Sequence, residues 1–147
     1  MPATFIRSAT QRDAAELARL LTVLSYPTAE EAIADCWEEW AAAGNVALVA
    51  VRPDGTLAGV ATLHQMRVLH RPKAVGRITA LVVDTLLRGQ GIGRALVAAA
   101  EEALRSAGCG LLEITSNMRL VDAHAFYEQL GYEKTSLRFA KVLAPSD

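Results

Sequence analysis

The stretch ITALVVDTLLRGQGIGRALVAAAEEALRSAGCGLLEITS, Ile78 to Ser116, decides the fold of this chain. Its apolar start belongs to a segment, Val75–Asp84, that reads as a central strand covered on both faces. A glycine-rich turn, Arg88–Arg94, comes next. From Ile92 to about Ser106, Ile92, Leu96, Ala99, Ala100, Ala103 and Leu104 recur on one side of a helix. Ala107-Gly108 closes that helix, and Leu111–Ser116 reads as a second strand. A strand–helix–strand crossover of this kind joins two parallel strands.

Working outward, the upstream half reads as hairpins and two helices. Thr4–Ser8 alternates as a first strand. A helix follows Thr10, with Ala14, Leu17, Leu20, Leu21 and Leu24 apolar, and Ser25-Tyr26-Pro27 stops it. Thr28 followed by Glu31 has the spacing of a capping box, which opens a second helix running to about Ala43. Val46–Val51 and Leu57 to about Leu69 are strands joined by the turn Pro53-Asp54-Gly55. Downstream, Leu120–Leu130 reads as a helix stopped by Gly131, and Tyr132–Leu143 as a last strand. The expected fold is α/β (α+β mixed), a single domain over residues 1–147, with a mixed central sheet of about six strands flanked by about four helices.

The bulk numbers narrow the function. The 147 residues are 52% hydrophobic and 21% charged, the profile of a folded domain with its own core. A formal net charge of −1 provides no basic excess, so no nucleic-acid partner is expected. Cys36 and Cys109 form neither a disulfide framework nor a metal cluster, and no metal is expected. The first residues, MPATFIRSATQRDAAE, do not read as a signal peptide. Charges interrupt every apolar run, so no membrane span is expected and a cytoplasmic location is the default.

The glycine turn can bind an anion. It stands between a buried strand and a helix, where unpaired N–H groups and the positive end of the helix dipole meet. Glycines let the backbone approach phosphate oxygens, and Arg88 adds a forked, permanent charge. Two nucleotide loops fail here. Gly93-Arg94-Ala95 stands where a Walker A loop needs Gly-Lys-Ser/Thr. The GxGxxG dinucleotide spacing meets Arg94 or Leu96 at its third glycine.

The spacing Arg88-Gly89-Gln90-Gly91-Ile92-Gly93, preceded by Leu81-Val82-Val83-Asp84, resembles the acetyl-CoA loop of the GNAT superfamily of N-acetyltransferases. The family's second motif is matched by AHAFYEQLGY, Ala123–Tyr132, and the order of elements agrees over almost the whole chain. The resemblance implies a direct transfer from acetyl-CoA, the co-substrate, to a primary amine of a small molecule or peptide. It implies that the backbone of Leu81, Val82 and Val83 pairs with the pantetheine arm. Arg88, Gly89, Gln90, Gly91, Ile92, Gly93 and Arg94 would then hold the pyrophosphate. Tyr127 matches the tyrosine that protonates the departing thiolate, as a phenol near pKa 10 can. Packing beside Phe126 is the competing role for it.

Where the family often has an asparagine, seven residues before the tyrosine, this chain has Leu120. Asn117 is the nearby substitute, and a turn-forming role competes with that one. Glu113 is a candidate base, and His64 is the other polar side chain interrupting an apolar strand. Solvent-facing or locally satisfied side chains compete for both. Tyr26, Trp37 and Trp40 lie in the half that builds the acceptor pocket, with core packing favoured for the tryptophans. The acidic residues Glu30, Glu31, Asp35, Glu38 and Glu39 read as a solvated face. A catalytically silent acyl-CoA-binding sensor or interaction domain of the same fold is the alternative function. Homodimerisation is left open.

Overall fold

The structure is a computed structural model that describes residues 4–144. It divides into two compact units, Met1–Ile114 and Thr115–Asp147, each described by itself. The first holds a five-stranded mixed sheet in the order β1-β2-β3-β4-β5, made of Phe5–Ser8, Val46–Val51, Leu57–Met66, Val75–Val83 and Leu111–Ile114. The first three pairings are antiparallel, and β4 pairs with β5 in parallel, as the crossover requires. Helices α1 (Ala14–Val23), α2 (Glu30–Ala42) and α3 (Ile92–Ser106) belong to this unit. Helix α4 (Val121–Gln129) belongs to the second.

One core joins the first two helices to the sheet. Leu17 and Leu20 of α1 cluster with Val49 and Val51 of β2, Leu57 and Val60 of β3, and Val82 of β4. Each such side chain contributes about 1.5–3 kcal/mol when fully buried. Ile33, Trp37 and Trp40 of α2 pack against this cluster, with the indole centroids 5.1 Å apart, so the tryptophans are core as expected. The acidic residues of α2 are exposed, also as expected. Helix α3 lies very close to the sheet: a Cβ at Gly76 would come 2.7 Å from Leu104 Cδ1, and one at Gly59 3.0 Å from Leu96 Cδ1. Glycine at both positions lets Leu96 and Leu104 bury almost completely.

Two expectations are corrected. The sheet has five strands, because no ladder among the described residues includes Tyr132–Leu143. Alternating apolar residues signal a strand, but a strand needs hydrogen bonds from a neighbour, and Leu137, Phe139, Val142 and Leu143 are all exposed. Thr28 does not cap α2, whose N-cap is Ala29 with no side-chain cap. Its hydroxyl donates instead to Tyr26 O at 2.6 Å, inside the α1–α2 turn. Glu30 and Glu31 provide the favourable negative charge at that helix start.

Candidate active site

The feature that opens a site is the incomplete β4–β5 ladder. It runs from Val75↔Leu111 to Ile78↔Ile114 and stops, while β4 continues to Val83. On its other side β4 stays paired with β3 through Val83↔Gly59, but the register shifts between Thr62 and Leu63 and leaves Thr79 as an extra residue. A bulge of this kind bends a strand and raises its twist. The Thr79 hydroxyl lies 2.7 Å from that of Thr62, which fixes the bulge. The bend begins where the β5 ladder ends. Thr79–Val83 therefore present a backbone edge with no β5 partner, and Leu81, Val82 and Val83 lie on it. The expected coverage on both faces holds only in part, since Thr79 is exposed and Leu81 half-buried.

At the end of this edge the chain turns into α3. Asp84 caps the short turn Thr85–Leu87 by accepting a hydrogen bond from Leu86 N at 3.1 Å. Gly89 and Gly91 both have φ of +81°, a left-handed conformation that glycine adopts without strain. Gly91 is the N-cap of α3 and brings no side chain to cap it. The first helical bond there is from Ala95 N to Gly91 O, so the amides of Ile92, Gly93 and Arg94 precede it at the positive end of a 15-residue helix. Nothing lies within 4 Å of a Cβ built at Gly89 or Gly91, so the turn is open on its outer side. Arg88, Gln90 and Arg94 are exposed, and neither arginine is in an ion pair among the described residues. Arg88 Nε donates to Val83 O at 3.5 Å, which leaves its other guanidinium nitrogens and the Arg94 side chain outside any ion pair among the described residues. With the amides at the helix start, these suit a pyrophosphate.

Glu113 stands on β5 beside Arg77, and its Oε1 accepts from Arg77 Nε at 2.9 Å and from Nη2. The carboxylate is thus held by a partner, with Oε2 outside the pair. His64 faces Arg77 across the β3–β4 ladder, and its Nδ1 is buried without a hydrogen-bond partner. Thr79 and Asp84 were missed as site-shaping residues: a bulge depends on the partner strand's register, which has no local signature.

In the second unit, Asn117 Oδ1 accepts from Arg119 N at 3.0 Å and its carbonyl oxygen lies 2.9 Å from His124 Nε2, a turn leading into α4. Its Nδ2 takes no part in these bonds. Tyr127 is half-buried, and burial raises its phenol above the ordinary value. Its ring meets Phe126 and Tyr132 edge-on, with centroids 5.4 and 6.3 Å away. The leucine–glycine–aromatic turn builds that contact. Gly131, at φ +94°, lets Tyr132 N bond to Tyr127 O at 3.0 Å and Gly131 N to Glu128 O at 3.1 Å. This is the Schellman closure, in which the residue after the glycine packs back on the last helical turn.

An open strand edge leading into a glycine-lined helix amino terminus is an α/β arrangement with the shape and donors to suit an extended, phosphate-bearing ligand. The profile of the acetyltransferase (GNAT) family matches residues 13–132. An aminoglycoside N(6')-acetyltransferase type 1 of Stenotrophomonas maltophilia is 33% identical over 149 residues, covering 96% of this chain and 95% of that enzyme. The aminoalkylphosphonate N-acetyltransferase of Salmonella typhimurium is 42% identical over 90 residues. That match covers 61% of this chain and 58% of the enzyme. The crystal structure of an acetyltransferase from Trypanosoma brucei superposes with a TM-score of 0.83 at 29% identity, over 95% of this chain and 99% of the other. The chain belongs to the GNAT acetyltransferase family.

Proposed function

We propose that this chain is an N-acetyltransferase that moves the acetyl group of acetyl-CoA directly to a primary amine, with no covalent enzyme intermediate. The observation that carries the proposal is the edge Thr79–Val83, free of a β5 partner and continuous with the amides at the start of α3. Leu81, Val82 and Val83 pair with the pantetheine as a neighbouring strand would. The amides of Gly89, Gly91, Gly93 and Arg94 hold the pyrophosphate, with Gln90 and Ile92 completing the turn and Arg88 closing over it. By the family resemblance alone, Asn117 is the candidate for a further contact with the pantetheine.

In the transfer itself, the nitrogen lone pair of a neutral amine forms the N–C bond and the C–S bond breaks. A β4 backbone N–H near Leu81 and Val82 stabilises the oxyanion. Tyr127 gives its proton to the leaving thiolate, and its burial keeps the phenol protonated at neutral pH. Glu113, through the Oε2 that Arg77 leaves unengaged, is the candidate acceptor for the amine proton. Among the described residues no group of three or more His, Cys, Asp or Glu side chains is placed to hold a metal ion.

The relatives are named for aminoalkylphosphonate and aminoglycoside acetylation, which favours a small-molecule amine over a peptide as acceptor. A cytoplasmic location is part of the proposal; among the described residues no helix is long and apolar enough to cross a membrane. Calorimetric titration tests the cofactor assignment. Acetyl-CoA is expected to bind with about 1:1 stoichiometry, while ATP and NAD leave no heat of binding at the same concentrations. Binding of ATP or NAD in place of acetyl-CoA would overturn it.

A further inference from the structure

We infer that Arg19, on α1, is a positioning residue that fixes the pyrophosphate turn through Asp84, without touching the ligand; the inference rests on the acetyl-CoA reading above. The guanidinium serves three acceptors at once. It donates to Glu16 at 2.8 and 3.1 Å, to Leu57 O at 2.9 Å and to Asp84 Oδ2 at 2.7 Å. Glu16 in turn accepts from Leu57 N at 2.9 Å, so the start of β3 is gripped through both its N–H and its carbonyl. Asp84 is held twice more, by its own N–H to Ala58 O at 2.8 Å and by Oδ1 to Leu86 N at 3.1 Å.

Asp84 is the junction of the proposed site. It directly follows the open edge that ends at Val83, and its two carboxylate oxygens do different work. Oδ1 sets the turn Thr85–Leu87 that delivers Arg88 and Gly89, while Oδ2 ties that turn to the helix on the core. A planar fork with five fixed N–H donors spans three separated acceptors in this way; a lysine offers its three donors from a single point and does not reproduce the spread. The Arg19 side chain is 40% exposed, so its ion pairs add only modestly to stability and the arrangement acts chiefly on geometry. A misplaced Asp84 would shift the glycine turn relative to β4, and the two halves of an extended ligand would no longer fit together.

The test compares CoA affinity in variants of the whole chain, read by calorimetry beside the thermal midpoint. Arg19→Met is expected to weaken CoA binding roughly two- to thirtyfold, the range for residues that act on a site through a neighbour. Arg19→Lys recovers part of the loss. Arg7→Met is the control, since it removes an equally tight pair with Asp13, at 2.8 and 2.9 Å, away from the turn. It is expected to lower the midpoint comparably and leave CoA affinity unchanged. If Arg19→Met fails to fold, Asp84→Asn carries the same test, because Asn retains Oδ1 for Leu86 and loses the charge that Arg19 meets. Wild-type affinity in whichever of these two variants is measured would overturn the inference. An equal loss in Arg7→Met would do so too, since general destabilisation would then explain both. Wild-type protein that binds no CoA at all would overturn the functional reading itself, a result distinct from either.

Discussion

Tyr127→Phe is expected to lower kcat by on the order of a hundredfold or more, the usual contribution of a general acid. The affinity for acetyl-CoA should stay within about twofold, because the ring and its packing survive the change. The phenylalanine still meets Phe126 and Tyr132 edge-on, and the Schellman closure at Gly131 uses only backbone atoms of residue 127. What disappears is the one O–H proposed to protonate the thiolate. Burial raises the phenol of Tyr127, so its loss by deprotonation belongs above the ordinary tyrosine range. Through neutral pH the wild-type donor is therefore constant. A pre-steady-state measurement with a good amine acceptor reads the chemical step directly. An unchanged rate in that step would remove Tyr127 from the mechanism.

Gly91→Val is expected to weaken acetyl-CoA binding roughly five- to a hundredfold. The reason is backbone conformation and not crowding, since nothing stands within 4 Å of a Cβ at this position. At φ +81° a β-branched residue is strongly disfavoured, by about 1–3 kcal/mol, and relief requires the N-cap of α3 to move. Moving it redirects the amides of Ile92, Gly93 and Arg94 that the pyrophosphate needs. Gly55→Val separates this from lost stability. Gly55 sits in the β2–β3 turn with φ +88° and equally open surroundings, so the strain is similar and the site is untouched. Its acetyl-CoA affinity should equal that of wild type. Equal affinities in all three proteins would remove the turn from the site.

The parts of the site that were legible in the sequence are those fixed by local chemistry. Two left-handed positions must be glycine or nearly so, and RGQGIG places them within three residues of each other at a helix start. Gly131 and Tyr132 likewise record a helix closure and the ring contact it brings, which is why LGY and Tyr127 occur together. The strand ends were read less well. Nothing in ITALVV marks Thr79 as the bulged residue, because its status is set by which β3 residue lies opposite. The β5 strand ends at Ile114, two residues before its apolar pattern was expected to stop, and that shortfall is what opens the β4 edge. The Thr28–Glu31 spacing fitted a capping box, yet the threonine hydroxyl found a carbonyl nearer to hand at Tyr26. Arg19 and Asp84 are 65 residues apart, and no pattern within a single helix or strand could have joined them.

Acetyl transfer to an amine can be followed directly by the release of CoA. Purified protein is incubated with acetyl-CoA and a panel of small primary amines, aminoalkylphosphonates and aminoglycosides among them, while free CoA thiol is followed with a chromogenic disulfide. Thiol release is expected to depend on both protein and amine, with one N-acetylated product formed per thiol. Tight binding of acetyl-CoA with no amine-dependent thiol release across the panel would contradict acetyl transfer, and would leave a protein that holds the cofactor without turning it over.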